Sequence, residues 1–293
     1  RANGLDLRTG WTVTAIDVEA RTVSATTDSG GTEDLAFDQL VIGTGAVPIR
    51  APIPGIDLPG VHGVQTLDDG LQVLDSMHRG PNTAVVIGAG YIGIEMAEAM
   101  KRRGLQVTVV DQAEQPMTTL DTDMGALIAT AMEKMGISYR GGEPVQSIEA
   151  GDSGRAAAVV TQRGRYPADI VVLGLGVRPN ADVAAAAGLP IGERGGLLTD
   201  DRMQVLDHPG IWAGGDCVEV GDRITGRRLH VPLGTHANKH GRVIGANLAG
   251  GDLRFPGIVG TAVSKICELE ISRVGLREQE ARDLGLDVVS VTI

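Results

Sequence analysis

Two kinds of hydrophobic spacing occur in this 293-residue sequence. From Trp11 to Thr27 apolar and polar residues alternate, which predicts antiparallel strands, and Gly30–Gly31 predicts the turn that follows. The segment Gln39–Ile42 predicts one buried strand. From Ala84 onward, short apolar runs alternate with amphipathic helical stretches, which is typical of βαβ units around a parallel sheet. We therefore predict an α/β fold.

The same spacing rules predict further elements. Helices are indicated where apolar residues recur every three to four positions, and strands where short apolar runs are bounded by glycine or proline. The predicted helices are Leu67–Met77, Met124–Met135, His236–Leu248 and the first turns of a helix at Arg277–Arg282. The later predicted strands are Ala168–Val177, Gly210–Asp216 and a single strand over Val263–Ile271.

One strand–turn–helix stretch carries the clearest chemical signal. The apolar strand that starts at Ala84 leads directly into a G-x-G-x-x-G sequence, and a helical pattern follows. In a dinucleotide-binding unit the first glycine allows the sharp turn, the second lets a pyrophosphate approach, and the third lets helix and strand pack closely. The N–H groups and the positive dipole end of the helix then attract the phosphates. We assign to this NAD-binding turn Gly88, Gly90, Tyr91, Ile92 and Gly93.

An acidic residue follows at the end of the next predicted strand. Asp111 lies 18 residues after Gly93 (111 − 93), close to the roughly 20 expected for the carboxylate that binds the adenosine ribose. Its charge would repel a 2′-phosphate, and no Lys or Arg occurs between Asp111 and Leu120, so we predict NADH in preference to NADPH. The alternative is a glycine-rich turn of another α/β fold, with Asp111 as a solvated strand end.

Composition and charge narrow the class of protein. A length of 293 residues with 42% apolar residues favours about two domains with real cores. The net charge of −11 argues against nucleic acid as a main partner, because phosphate contacts need clustered Lys and Arg. No apolar run approaches the roughly 20 residues that span a bilayer, so no membrane association is expected. Cys217 and Cys267 fit neither a metal site nor a disulfide framework, no signal peptide is recognised, and we predict a cytoplasmic protein.

Two histidines raise the question of a metal site. His236 and His240 are four residues apart and share one face of a predicted helix. Because no third ligand stands at a metal spacing, we predict no metal and expect a surface face or a subunit contact. Cys217, next to Asp216, is expected to be a buried, inert thiol.

Five sequence motifs, taken in order, resemble those of the FAD- and pyridine-nucleotide-dependent disulfide oxidoreductases. They are FDQLVIGTGAVPIRAPIPG, VVIGAGYIGIEMAEAM, VVLGLGVRPN, GIWAGGDC and VPLGTHANKHGRVIGANLAGG. The chain looks most like the branch that contains coenzyme A disulfide reductase, NADH oxidase and NADH peroxidase. Its ending, GTAVSKICELEISRVGL, is similar to the start of that branch's α+β dimerisation domain. The resemblance implies two Rossmann-like dinucleotide-binding domains, with the NAD domain inserted in the FAD domain.

The resemblance also implies further cofactor-binding residues. For FAD they are the T-G-A loop against the adenylate, the acid that binds the ribitol hydroxyls, and the turn that brings a helix N-terminus to the flavin. For NAD they are a glycine beside the nicotinamide and a carboxylate near its contact with the flavin. These residues correspond here to Thr44, Gly45, Ala46, Asp216 and Thr235 for FAD, and to Gly176 and Glu95 for NAD. A simple turn at Thr44, a helix cap at Asp216 and a solvent-facing Glu95 are the alternatives.

Two departures from the family pattern matter. The family's N-terminal unit with its own G-x-G-x-x-G, and the redox-active cysteine just after it, are not found in this sequence. The resemblance therefore implies an internal fragment, which alone would bind FAD poorly and catalyse no turnover. Neither Cys217 nor Cys267 lies in a matching motif, so no catalytic residue is assigned. The implied ranges are 1–78 and 199–256 for the FAD-binding domain, 79–198 for the NAD(P)-binding domain, and 257–293 for the start of the dimerisation domain.

The implied function is that of a flavin-dependent oxidoreductase. It would pass a hydride from NAD(P)H to FAD and then reduce a small-molecule substrate, namely a disulfide, peroxide or oxygen, as a homodimer when full length. One alternative is a ferredoxin reductase-type flavoenzyme, against which the VSKICELEISRVGL segment argues. Another is a non-catalytic, NADH-binding redox sensor, which would not need Asp216 or the T-G-A loop.

Overall fold

The computed structural model describes residues 4–292, and the chain folds into two compact units. The first unit contains the residues up to Val47 together with Arg178–Ile258. The second unit contains Pro48–Val177 together with the residues from Val259 onward, so segments of the two units alternate along the chain. These limits differ from those of the four predicted ranges, whose cofactor assignments stay a prediction. Residues 1–3 and 293, which the first and last predicted ranges include, lie outside the described residues.

Strands and helices alternate along much of the chain. The strands are β1 Trp11–Asp17, β2 Thr22–Thr27, β3 Thr32–Ala36, β4 Leu40–Ile42, β5 Ala46–Pro48, β6 Val61–His62, β7 Thr83–Ile87, β8 Gln106–Val110, β9 Ile137–Arg140, β10 Val145–Ala150, β11 Ala156–Thr161, β12 Arg165–Pro167, β13 Ile170–Leu173, β14 Val177–Pro179, β15 Leu197–Leu198, β16 Ile211–Ala213, β17 Val218–Gly221, β18 Arg228–Leu229, β19 Ala262–Ile266 and β20 Leu269–Arg273. The helices are α1 Leu67–Met77, α2 Tyr91–Arg102, α3 Thr122–Lys134, α4 Asp182–Ala186, α5 Gly234–Leu248 and α6 Glu278–Asp283.

A five-stranded parallel sheet forms the centre of the second unit, in the order β6-β13-β7-β8-β9. Its strands are buried on both faces, as their continuous apolar runs predict. Alternate residues of β7 point to opposite sides. Ala84 and Val86 belong to the core that includes Ile94 of α2 and Ile128 of α3, whereas Val85 packs into the core that includes residues of β10 and β11.

The first unit is built from smaller sheets around one core. The strands β1, β2 and β3 form the antiparallel sheet that the alternating sequence predicts. The strands β4 and β16 are parallel neighbours, with Leu40 opposite Ile211 and Ile42 opposite Ala213. Buried Trp212 packs in the core that also includes Val243 and Ile244 of α5. The α/β class predicted from the sequence is confirmed.

The predicted single strand over Val263–Ile271 is wrong. The chain reverses at Cys267–Glu268, and β19 and β20 pair as an antiparallel hairpin with Ile266 opposite Leu269. Apolar and polar residues alternate through the reversal, and no Gly, Pro or Asn marks it. Cys267 adopts a left-handed conformation, with φ of 53°, and its N–H donates to Glu98 Oε2 at 2.7 Å. Across residues 4–292, no helix combines the length and apolarity that a bilayer crossing requires.

Candidate dinucleotide-binding sites

A cavity of about 500 Å³ lies in the second unit at the carboxyl ends of β7 and β8. In open parallel sheets this edge is where ligands bind, and the volume is within the usual range for small-molecule pockets. The cavity is lined by Ile49, Ala51, Ile53, Ile87, Gly88, Ala89, Gly90, Val110, Asp111, Gln112, Ala113, Met117, Thr118, Glu143, Pro144, Val145, Gly174 and Leu175.

The three glycines of the G-x-G-x-x-G turn differ in what surrounds them. Gly88 has φ of 103°, and a Cβ there would overlap the carbonyl oxygen of Gly174. A Cβ at Gly93 would overlap the carbonyl oxygen of Gly88, so helix α2 could not lie this close to the turn with a larger residue. Gly90, in contrast, has nothing within 4 Å of its Cβ position. Packing therefore requires glycine at Gly88 and Gly93, whereas Gly90 leaves open space at the cavity.

Helix α2 begins next to this open space without a side-chain cap. Its N-cap is Gly90, no side-chain hydrogen bond caps it among the described residues, and its first turn carries no acidic residue. The first N–H groups of a helix have no partner within the helix. The N–H groups at Tyr91, Ile92 and Gly93 and the positive end of the dipole are thus available to an anion. These three residues do not themselves line the cavity.

Asp111 lines the cavity and holds the turn in place. Its Oδ2 accepts a hydrogen bond from the Ala89 N–H at 2.5 Å, and its Oδ1 accepts one from the Ala113 N–H at 2.8 Å. Each carboxylate oxygen can accept a further hydrogen bond. The residue is half-buried, so its surroundings differ from those of a fully solvated strand end.

The other two residues assigned to NAD lie outside the cavity lining. Glu95 is exposed on α2, and its Oε1 accepts a hydrogen bond from Ser264 Oγ at 3.0 Å. Gly176 has φ of 83°, and its carbonyl oxygen accepts the Ile49 N–H at 3.0 Å. It directly follows Gly174 and Leu175, which do line the cavity.

A second cavity, of about 380 Å³, lies in the first unit. Six of its ten lining residues are glycines, so backbone rather than side chains forms most of its wall: the lining residues are Val41, Gly43, Gly45, Gly214, Gly215, Asp216, Gly234, Ala237, Gly241 and Ile244. The Asp216 carboxylate accepts no hydrogen bond from the part of the chain that the structure describes. A turn and strand β17 follow Asp216, so it does not cap a helix.

The remaining residues assigned to FAD flank this second cavity. Thr44 Oγ1 donates to the carbonyl oxygen of Asn180 at 2.5 Å, and Asn180 Nδ2 donates to the Thr44 carbonyl oxygen at 3.2 Å. Ala46 begins β5 and is half-buried. Thr235 is the exposed second residue of α5, beside the lining residue Gly234, and no side chain caps this helix within the described residues.

His240 is buried beside Gly215, which lines the second cavity, although the sequence predicted a surface position for it. Only 1% of His240 is exposed, and its Nδ1 accepts the Gly215 N–H at 3.1 Å. The Phe255 ring lies perpendicular to it at 4.4 Å. Burial, with a smaller contribution from His236, lowers the pKa of His240 to about 4, so the ring is neutral. The surface prediction fails for His240 because Phe255, fifteen residues later (255 − 240), covers it.

A buried thiol and a buried carboxylate lie in or near these two sites. Cys217 is fully buried, which confirms the predicted burial, and burial raises the pKa of its thiol. In the described part of the chain, no cluster of three or more His, Cys, Asp or Glu side chains is arranged to hold a metal ion. Glu143, a buried carboxylate in the lining of the first cavity, was missed, because neither a motif nor a spacing marks it.

Comparison with known proteins identifies a family and close structural relatives. A family model described as pyridine nucleotide-disulphide oxidoreductase matches residues 1–241. An NADH oxidase of Methanocaldococcus jannaschii is 38% identical over 278 residues, which are 94% of this chain and 61% of that protein. An NAD(P)H coenzyme A polysulfide/persulfide reductase of Pyrococcus horikoshii is 36% identical over 290 residues, which are 98% of this chain and 64% of that protein. The chain spans less than two thirds of the length of these relatives.

Solved structures have the same fold. The NAD-dependent persulfide reductase of A. fulgidus superposes with a TM-score of 0.93 and 36% identity, over 97% of this chain and 52% of that chain. An FAD-dependent pyridine nucleotide-disulphide oxidoreductase of Desulfovibrio vulgaris superposes with a TM-score of 0.87 and 37% identity, over 95% of this chain and 71% of that chain. The resemblance inferred from the five motifs, including the branch that contains coenzyme A disulfide reductase and NADH oxidase, is confirmed.

Proposed function

Since this chain belongs to the pyridine nucleotide-disulphide oxidoreductase family, we propose that it binds NADH and FAD and acts in hydride transfer from NADH to FAD. The observation that carries this proposal is the cavity of the second unit. There an open glycine turn, an uncapped helix start and the Asp111 carboxylate surround one space. In the whole protein the electrons then pass to a small-molecule acceptor, which we propose to be a disulfide, peroxide or oxygen.

The residues of the first cavity fit the parts of NADH. The pyrophosphate is held by the free N–H groups at the start of α2, and the open side of Gly90 permits its approach. Asp111 accepts hydrogen bonds from the ribose hydroxyls while the Ala89 and Ala113 N–H groups fix its orientation. NADH is favoured over NADPH because none of the described lining residues is Lys or Arg, and Asp111 would repel a 2′-phosphate.

The residues of the second cavity fit FAD. Its glycine-lined wall lets a flat or extended ligand approach the backbone, and the free Asp216 carboxylate can accept hydrogen bonds from ribitol hydroxyls. The uncapped N-terminus of α5 places a positive dipole end beside Gly234, which would stabilise negative charge on a reduced flavin. His240 fixes the Gly215 backbone without adding a charge. When bound, FAD accepts the hydride, and this is the chemistry that the protein positions.

Location and assembly are part of the same proposal. We propose a cytoplasmic protein, for which two buried, free cysteines are the support. We propose a homodimer on the similarity of the C-terminal segment to a dimerisation domain, and sedimentation of the whole protein tests it.

Calorimetric titration of the purified full chain tests the NADH site. We expect NADH to bind at least about tenfold more tightly than NADPH, a difference of ~1.4 kcal/mol. Asp111→Ala should weaken NADH binding and reduce this preference. The matched control is Glu114→Ala, which removes an exposed carboxylate three residues later (114 − 111) that does not line the cavity. Absence of NADH binding, or identical behaviour of Asp111→Ala and the unaltered chain, would contradict the site.

The absorbance of FAD bound to the whole protein distinguishes an enzyme from a sensor. The proposed enzyme bleaches the flavin band when NADH is added anaerobically. Binding of both nucleotides with no bleaching in the whole protein would favour the NADH-binding sensor. Bleaching followed by reduction of a ferredoxin, but not of a disulfide, peroxide or oxygen, would favour the ferredoxin reductase alternative.

A further inference from the structure

We propose that Glu143 recognises the exocyclic amino group of adenine, so that the cavity of the second unit selects adenine dinucleotides over their hypoxanthine analogues. This inference rests on the proposed function, because it concerns the base of the dinucleotide assigned to that cavity. Glu143 belongs to none of the motifs that suggested the site.

Glu143 lies where the base of a bound dinucleotide would be. It lines the cavity together with Pro144 and Val145, and only 6% of it is exposed. Its backbone N–H donates to the carbonyl oxygen of Asp111 at 2.9 Å, so the two residues are neighbours. Because the base is attached to the ribose that Asp111 binds, this side of the cavity is within reach of the base.

Two hydroxyl groups fix the carboxylate of Glu143. Its Oε2 accepts hydrogen bonds from Tyr166 Oη at 2.7 Å and from Thr161 Oγ1 at 2.8 Å. Burial by itself would raise the pKa of Glu143, but these two hydrogen bonds, with Arg163 and Arg140, hold it below its usual range. The side chain is therefore an anion at neutral pH, and an ionised carboxylate can only accept hydrogen bonds.

The second oxygen of this carboxylate is left for a ligand. Glu143 Oε1 accepts no hydrogen bond from residues 4–292. Among the described residues, two side-chain atoms are fully enclosed and have no hydrogen-bond partner: His240 Nε2 and Arg273 Nε. Glu143 Oε1 is not one of them, although it also has no partner. Oε1 is thus not fully enclosed, and Glu143 is one of the residues that line the cavity.

Such an acceptor distinguishes adenine from hypoxanthine. Adenine carries an amino group at its six position, which donates to Oε1. Hypoxanthine carries a carbonyl oxygen there, and two acceptors would face each other, while its nearest donor, N1–H, is one ring atom away. A buried, fixed acceptor discriminates strongly against a ligand that lacks the matching donor, because the charged oxygen is then left without a partner.

A purely structural role makes a different prediction. Thr161 ends β11 and Tyr166 lies in β12, so Glu143 also ties together two strands of the β10–β12 sheet. If that were its only role, replacing Glu143 would lower stability and leave the choice of base unchanged.

The test compares reduced nicotinamide adenine dinucleotide with reduced nicotinamide hypoxanthine dinucleotide, by calorimetry on the full chain. We expect the hypoxanthine form to bind about tenfold more weakly or worse, as loss of one charge-assisted hydrogen bond predicts. In Glu143→Gln the difference should shrink to about twofold, because a carboxamide can accept from an amino group or donate to a carbonyl oxygen. Glu149→Gln, which neutralises the exposed carboxylate paired with Arg165, is the matched control and keeps the full difference.

Each result supports or overturns the inference. Tyr166→Phe removes one hydrogen bond from Oε2 but keeps the carboxylate, and should keep base selectivity even if its unfolding temperature falls. Equal binding of the two dinucleotides to the unaltered chain overturns the inference and leaves the proposed NADH site intact. A Glu143→Gln protein that is less stable but equally selective also overturns it. Failure of both dinucleotides to bind overturns the proposed function and this inference together.

Discussion

The glycines of the G-x-G-x-x-G turn serve two purposes: one is required for packing of the fold, and another leaves room for a ligand. Gly93 is packed against the backbone of Gly88, whereas Gly90 faces open space although it lies only three residues away (93 − 90). Both residues belong to the same sequence motif, and the structure shows that their substitution should affect different properties.

We therefore expect opposite results for two alanine substitutions. Gly93→Ala adds a Cβ that overlaps the carbonyl oxygen of Gly88, and should destabilise the second unit by about 1–3 kcal/mol despite the better helix propensity of alanine. Gly90→Ala should leave the unfolding temperature unchanged but weaken NADH binding by about tenfold, because the methyl group occupies the approach to the backbone. Thermal unfolding and calorimetry measure both quantities. A stable Gly93→Ala protein, or a Gly90→Ala protein with normal affinity, would contradict this distinction.

His240 should make the stability of the first unit depend on pH. Burial lowers the pKa of folded His240 to about 4, from an ordinary value of 6.5, so between these values the unfolded chain binds a proton that the folded chain does not. Stability is therefore lost progressively as pH falls from 6.5 to 4, and this loss is complete below the folded pKa of about 4. His240→Gln can still accept the Gly215 N–H but cannot titrate.

Urea unfolding between pH 7 and pH 4 measures this effect. Trp11 and Trp212, the two tryptophans of the chain, both lie in the first unit, so tryptophan fluorescence reports its unfolding. We expect the unaltered chain to lose more stability than His240→Gln on acidification. Parallel curves for the two proteins would show that His240 contributes nothing to the pH dependence.

Some site residues could be predicted from the sequence because their partners are close in the sequence. Others could not, because their partners are far away in it. The turn glycines and Asp111 are recognisable because one βαβ segment, residues 88–111, contains both the local geometry and the ligand contacts. The burial of Glu143 depends on Tyr166, 23 residues away, and that of His240 depends on Phe255 beyond the end of its helix. No periodicity connects such partners, so only the folded chain brings them together.

Secondary-structure elements were predictable where their ends are marked. Helix α1 has the predicted limits because Thr66 and Asp69 form a reciprocal cap at its start. The β19–β20 hairpin was not predictable because its turn residues are Cys267 and Glu268, which carry no turn signal. Contacts with distant residues replace that signal: the Cys267 N–H binds Glu98, and Arg273 Nη1 donates to the Thr119 carbonyl oxygen at 2.8 Å.

We expect Glu98 to hold this hairpin against α2. Cys267 is 3% exposed, and burial followed by the charge of Glu98 raises the pKa of its thiol, so it should react slowly with thiol reagents. Glu98→Ala removes a hydrogen bond to a charged group, and should make Cys267 react about tenfold faster or more. Glu95→Ala, which loses only the Ser264 contact, is the control and should have a smaller effect. Unchanged labelling of Cys267 in Glu98→Ala would show that Glu98 does not secure the hairpin.

For the molecule as a whole, two compact units alternate along the chain, and the four ranges implied by the family resemblance stay a prediction. The chain passes from one unit to the other after Val47, Val177 and Ile258, and the first two of these positions lie in the short strands β5 and β14. Each unit has its own core, one around Trp212 and Val243, and the others on the two faces of the five-stranded sheet.

Separate cores with separate candidate sites imply that the two nucleotides protect different parts of the chain. A ligand that binds only the folded state stabilises it by about 2.7 kcal/mol at a hundred times its dissociation constant. Hydrogen exchange on the whole protein, followed by mass spectrometry, should therefore show that NADH slows exchange around Gly88–Gly93 and Asp111. FAD should slow it around Gly43–Gly45 and Gly214–Asp216. NADH protection of Gly214–Asp216, with none at Gly88–Gly93, would reverse the assignment of the two cavities. If neither nucleotide protected either set of segments, both cavity assignments would be wrong.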